Sequence, residues 1–231
     1  MASRDGGDVL TTGKAADLPL VKRGPRSHAE RSNTTRRLVL DAALRILNAN
    51  GYTGATIAAI REEAGVSTGA LNHQFPSKAQ LMAAVVERFS EQQLTAFEQA
   101  LCTASTPRET IDAIMDTTDA IIHLPEMAAS FEIHLARRND PELDALTRPI
   151  YEMFDMRVRQ WLGAALQAAG VSSGREFEDF RLLNFAVYRG LGMELSAHTT
   201  IHDVRGALAL WRKFAMQFYF GDAFTANRGE P

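Results

Sequence analysis

A chain of 231 residues with 45% hydrophobic content is long enough to bury a sizeable core and to form one small and one larger domain. Its single cysteine, Cys102, excludes an internal disulfide, and the start MASRDGGDVL is acidic and glycine-rich where a secretory signal needs an apolar run. The net charge of −3 hides an asymmetry: residues 1–90 hold 12 basic against 8 acidic side chains, and the remainder 13 against 20, so a polyanion is attracted by the front and repelled by the back.

Residues 1–31 show no hydrophobic period, and VKRGPRSHAERS reads as a flexible basic arm, either lying along phosphates or a minor groove or serving only as a solubilising tail. From Ser32 the pattern changes. Leu40, Leu44 and Leu47 recur at helical spacing beside Val39, Ala43 and Ile46, which predicts a first helix to about Asn50 that stops at Gly51. The stretch from Thr56 to Lys78, TIAAIREEAGVSTGALNHQFPSK, then reads as two short helices joined at Ala64-Gly65-Val66. Gly65 supplies the left-handed conformation that ends one helix, and Ser67 the hydroxyl that caps the next. That is the shape of a helix-turn-helix, whose second helix enters the major groove of DNA. A three-helix head over 32–78 follows.

The region 79–231 is helical in character throughout, with well-marked starts. Ser77 to Gln80, Thr106 to Glu109 and Ser173 to Glu176 have the spacing of capping boxes, and Asp140-Pro141-Glu142 is a start of the same kind. Helices are predicted near 77–103, 107–122, 126–138, 141–169, 175–198 and 202–220. No alternating run of β-branched residues argues for a sheet, so the fold class is all-α, about nine helices, the head followed by a larger bundle.

Most apolar residues at helical spacing are expected to be core. The last two helices carry more than one covered face explains: Leu191, Leu195, Leu208, Trp211, Phe214 and Phe218 are expected to pair with a second copy as a homodimer. Phe97, Met115, Phe131, His134, Tyr151, Phe154, Phe185 and Tyr188 are candidates to line a cavity for a mostly apolar or aromatic effector. The helix that begins at Ser77 joins head to body and is the expected lever between them.

The run Gly51-Tyr52, Thr56-Ile57, Ile60, Ala64-Gly65-Val66-Ser67, Gly69-Ala70-Leu71, Phe75, Ser77-Lys78, Leu81 resembles the N-terminal domain of the TetR family of bacterial transcriptional regulators, over residues 34–82. The body resembles the family only in being helical and of the right length. The resemblance implies a homodimer on a near-palindromic double-stranded DNA operator, usually a repressor, released when a small molecule enters each body. It places Thr56, Thr68, Gly69, Ala70, Asn72, His73 and Lys78 at DNA-contacting positions, and Leu71 and Phe75 where the helix is packed down. Chemistry agrees: Lys78 and Thr56 stand at helix starts suited to phosphate, Thr68 and His73 suit base edges, and Ala70 suits a thymine methyl. Two positions depart from the family, which commonly has Tyr at Asn72 and His at Gln74. These amides are left with three options: a phosphate, an adenine edge, or neither.

An enzyme needs a convergent set of nucleophile, base or metal ligands, and the sequence holds no GxSxG, phosphate loop, HExxH or paired cysteines. His123 and His134 invite a metal reading, but the two do not stand at the i, i+4 spacing of a helical site and Cys102 stands alone, so neither metal nor cofactor is expected. A rival keeps the head and makes the body a docking surface for another protein. With no apolar stretch of about 18 residues to span a membrane, the chain is expected to be cytoplasmic, with no membrane partner. Activation and repression are indistinguishable at this level, since the sign depends on where the operator lies.

Overall fold

Val39, Leu40, Ala43 and Leu47 recur at helical spacing, and all four are buried to 5% exposure or less. In the computed structural model, which describes residues 28–169, 174–196 and 202–221, they belong to α1 (His28–Gly54). This helix begins at His28 and not at Ser32, so the last four residues of the expected arm are helical. Glu30 sits in the first turn, where negative charge is favoured, and Thr34 donates to the Glu30 carbonyl at 2.8 Å. The rest of the expected arm lies outside the described residues.

Gly51 breaks α1 as expected, with φ 65° and ψ −178°, a region that glycine alone enters readily. There follow α2 (Ile57–Ala64), α3 (Thr68–Gln74), α4 (Lys78–Leu101), α5 (Pro107–Ile121), α6 (Pro125–Ala136), a 3-10 turn (Arg137–Asn139), α7 (Pro141–Ala168), α8 (Arg175–Leu195) and α9 (Val204–Phe220). Among the described residues the fold is thus all-α with nine α-helices.

Helix starts are set by side chains. Thr106 accepts the Glu109 N–H while Glu109 accepts the Thr106 N–H, a complete capping box, with Pro107 at the first helical position. Ser77 accepts the Gln80 N–H and Asp140 the Leu143 N–H. The expected cap at Ser173 lies outside the described residues, and α8 starts after Gly174 without a side-chain cap.

The core of the head is continuous with that of the first body helices. Leu47, Ile60, Leu71, Phe75, Leu81 and Val85 form one buried cluster with Ala129 and Ile133 of α6 and Leu143 of α7. Each such buried Leu, Ile, Val or Phe side chain contributes roughly 1.5–3 kcal/mol, so head and first body helices are stabilised together. A second cluster joins Phe89 and Phe97 of α4 to Ile111 and Met115 of α5, Leu162 and Leu166 of α7, Phe177 of α8 and Tyr219 of α9. Across its edge Arg212 of α9 donates to Asp112 of α5 at 2.7 Å and also to Asp116. Among the described residues no helix is long and apolar enough to cross a membrane.

Candidate functional site

The turn between α2 and α3 is closed by Gly65 at φ 64°, with the Gly65 N–H donating to Glu62 and the Val66 N–H to Arg61. Those two bonds satisfy the last carbonyls of α2, and a Cβ at Gly65 would sit in a strained conformation. Thr56 and Ser67 cap the two helices through the Ala59 and Ala70 amides, at 3.1 and 3.2 Å. Each such cap is worth about 1 kcal/mol.

Leu71 and Phe75 fix the buried side of α3, at 0% and 2% exposure, and the Arg36 guanidinium covers the Phe75 ring at 4.9 Å. The opposite side presents Thr68, Gly69, Asn72 and His73, all exposed, with Ala70 half-buried at the margin. Space beyond Gly69 is open, with nothing within 4 Å of where a Cβ would stand. Thr56 is exposed at the start of α2. Gln74, one of the two departures, is turned inward: its amide donates to Ser32 Oγ of α1 at 2.7 Å.

Lys78 is placed differently from its neighbours. Its ammonium donates to the Tyr52 carbonyl at 2.6 Å and lies 4.0 Å over the Tyr52 ring. Burial lowers its pKa, against the opposing pull of the Asp140 carboxylate. Two cations at the start of α1 were missed by motif reading. Arg31 and Arg37 are exposed and form no ion pair among the described residues, whereas Arg36, Arg45 and Arg88 pair with Glu87, Glu63 and Asp41. Their only sequence signal is the basic run itself.

Tyr52 ties head to body. Its N–H donates to Glu132 of α6 at 2.9 Å, and its hydroxyl donates to Asp140 at 3.2 Å. Burial, with Asp140 beside it, pushes that hydroxyl up to about 12. Ser77 Oγ donates to Glu142 of α7 at 2.7 Å, a second tie across the same joint.

In the body, α4 to α9 line a partly open cavity of about 140 Å³. All eight residues proposed from sequence line it: Phe97, Met115, Phe131, His134, Tyr151, Phe154, Phe185 and Tyr188. Phe154 contacts Phe97 and Phe185 at 6.3 and 6.4 Å between ring centroids, and His134 meets the Tyr151 ring edge-on at 5.5 Å. The Tyr151 and Tyr188 hydroxyls are buried, Tyr151 near Ser130 and Arg137 and Tyr188 near Asp119, without a hydrogen bond of full geometry. Arg181, Asn184 and Arg189 of α8 also line the cavity and were not anticipated. Polar residues at helical spacing among Phe177, Phe185 and Tyr188 were the available signal.

The expected dimer residues separate. Phe214 is 58% exposed and Leu191, Leu195, Trp211 and Phe218 are half-buried, but Leu208 is buried in its own chain against Ile122, Tyr188 and Val204. Trp211 donates to Asn184 at 2.7 Å, and Phe180 stacks on Phe218 at 3.9 Å. A helical period places apolar residues on several faces, and burial within the chain takes Leu208 away from the surface. The outward apolar surface is made instead by Leu182, Leu183 and Met193 of α8 with Leu210 and Phe214 of α9.

Comparison with known proteins agrees with this arrangement. Residues 39–85 match the family described as bacterial regulatory proteins, tetR family. The chain is 30% identical over 169 residues to the HTH-type transcriptional regulator CymR of Pseudomonas putida, covering 73% of this chain and 82% of that one. Its fold is similar to that of a transcriptional regulator from Pseudomonas aeruginosa PAO1, with a TM-score of 0.66 at 19% identity, over 80% of this chain and 90% of that one. A regulator from Saccharomonospora viridis solved in complex with choline is similar at a TM-score of 0.64 and 18% identity, over 79% and 95% of the two chains. With a buried face that seats α3, an open face that presents it, and a relative alike over most of both chains, the protein belongs to the TetR family of DNA-binding transcriptional regulators, which are not enzymes.

Proposed function

We propose that the protein is a homodimeric repressor that binds a near-palindromic operator through α3 and leaves it when a small, mostly apolar or aromatic effector enters the cavity. The observation that carries this reading is that α6 serves both sites. Its Met127, Ser130, Phe131 and His134 line the cavity, while Glu132, on the same helix, accepts the backbone N–H of Tyr52 in the head. A ligand that prefers a shifted α6 therefore shifts the head, and only such differential affinity can release DNA. This adds α6 to α4 as a lever.

Residues 32–78 are the DNA-binding unit in this reading and 79–231 the regulatory unit. Thr68, Gly69, Ala70, Asn72 and His73 face the groove, Thr56 and Arg31 hold phosphates, and the Lys78 ammonium braces Tyr52 beneath them. The exposed apolar surface of α8 and α9 pairs with a second copy, which sets two copies of α3 about 34 Å apart on successive turns of DNA. The cavity favours a sensor over a body that only docks a protein. That a similar fold holds choline in the Saccharomonospora viridis regulator supports a ligand chamber here as well.

Selection of bound sites from random DNA, with and without a metabolite library, tests the reading. Paired half-sites, lost with one class of metabolite, are expected. Single half-sites bound by a monomer, or binding indifferent to every metabolite, would overturn it.

A further inference from the structure

Resting on the sensor reading above, we infer that the effector carries one negative charge, a carboxylate on a compact ring-sized body, seated at the Arg189 end of the cavity. No Asp or Glu lines the cavity, whereas Arg181, Arg189 and His134 do. Arg181 is already matched: it is 7% exposed and donates to Glu178 at 3.0 Å and to Asp155. Arg189 stands at the rim, exposed, and forms no ion pair among the described residues. Its charge nonetheless reaches inward: burial first, then Arg189 and Arg137, lowers the pKa of His134, and the same two charges oppose the rise that burial imposes on Tyr151.

Arg137 is itself held by Asp144 at 2.6 Å, which leaves a single uncompensated cation facing this end. Beside it the buried Tyr151 hydroxyl lies near the Ser130 hydroxyl and the Arg137 guanidinium without a hydrogen bond of full geometry to either, and Ser130 lines the same wall. One cation and two hydroxyl donors suit the lone pairs of a carboxylate; a cationic ligand is repelled there, and a neutral one leaves the guanidinium unmatched. The far end points the other way. There Tyr188 faces Asp119, a carboxylate 3.9 Å from Arg212 that offers an anion no donor. A volume of about 140 Å³ admits one ring, since a cavity of about 150 Å³ holds benzene.

Calorimetry on the full chain with benzoate, benzamide and benzylammonium tests the inference, using wild type, Arg189→Gln and Arg189→Lys. Benzoate is expected to bind at least about tenfold more tightly than benzamide, a difference of about 1.4 kcal/mol, and benzylammonium most weakly. Arg189→Gln should abolish the benzoate preference while leaving benzamide unchanged, and Arg189→Lys should restore most of it. Because the preference is a ratio within each variant, any effect of Arg189 on folding or pairing cancels. Equal or tighter binding of benzamide or benzylammonium, a preference that survives Arg189→Gln, or no binding of any of the three overturns the inference. If a neutral or cationic ring binds and also releases the selected operator, the sensor reading stands while the anion falls.

Discussion

Glu132 of α6 accepts the backbone N–H of Tyr52 at 2.9 Å, so a body helix that lines the cavity completes the hydrogen bonding of the head at their joint. Glu132→Ala removes that acceptor and leaves the α3 surface untouched. Operator affinity without effector is expected to stay within about threefold of wild type, while the effector's weakening of DNA binding shrinks by about 1 kcal/mol or more, within the range typical of allosteric coupling. Titrating operator binding with and without effector measures both. Unchanged coupling would remove Glu132 from the transmission route.

Gly51 is bound to this joint for two reasons. Its φ of 65° and ψ of −178° are strained for any side chain, and a Cβ there would lie 3.1 Å from Glu132 Oε2. Gly51→Ala is therefore expected to cost about 1–3 kcal/mol of stability, read as a lower urea midpoint at unchanged slope. A midpoint equal to wild type would show that the joint accommodates a side chain.

On DNA the three kinds of head residue should separate. His73→Ala should cost about 1–3 kcal/mol on the preferred operator and relax the preference at one base pair. Arg31→Ala should weaken binding to all sequences alike and lower the salt slope by about 1. Lys78→Ala should lower thermal stability together with affinity, because its ammonium bonds the Tyr52 carbonyl. Loss of affinity in Lys78→Ala at full stability, with a reduced salt slope, would return Lys78 to a direct phosphate role.

His134 makes stability depend on pH. Burial first, then the charges of Arg189 and Arg137, lowers its pKa below the ordinary 6.5. Below 6.5 the unfolded chain therefore binds a proton that the folded chain resists. The stability tied to neutral His134 is complete above that value and is lost as pH falls through the window beneath it. His134→Gln should lose less stability than wild type between about pH 7.5 and about pH 5.5, measured by urea unfolding. Parallel losses in the two proteins would contradict the assignment.

Phe214 is 58% exposed on α9 beside Leu210 at 55%. Phe214→Glu is expected to raise the dimer dissociation constant at least about a hundredfold, about 2.7 kcal/mol, by placing a charge in an apolar interface. Sedimentation velocity checks this, and a variant that remains dimeric at low concentration would move the interface elsewhere.

The helix-turn-helix was legible because its signals are local. Gly65 must be left-handed, Ser67 caps the next turn, and Leu71 and Phe75 fall at the spacing that buries one side of a short helix; each depends on residues within one or two turns. The same locality marked the starts at Thr106 and Asp140. It failed between His28 and Arg31, where the basic run concealed the first turn of α1. Aromatic residues at helical spacing also pointed to the cavity, which Phe97, Phe131, Phe154 and Phe185 line.

Sequence by itself thus determined an all-α chain with a DNA-reading head, because capping, glycine conformation and apolar period are properties of neighbours along the chain. Tertiary structure decided the partners of long side chains. Lys78 turns to Tyr52, Gln74 to Ser32 and Glu132 to the Tyr52 N–H, across separations of 26, 42 and 80 residues. It also decided which apolar residues remain outside: Leu208 is buried within its own chain, and Leu182 is left at the surface. A helical period says which residues share a face, but only the packing of one helix against another says which face meets water.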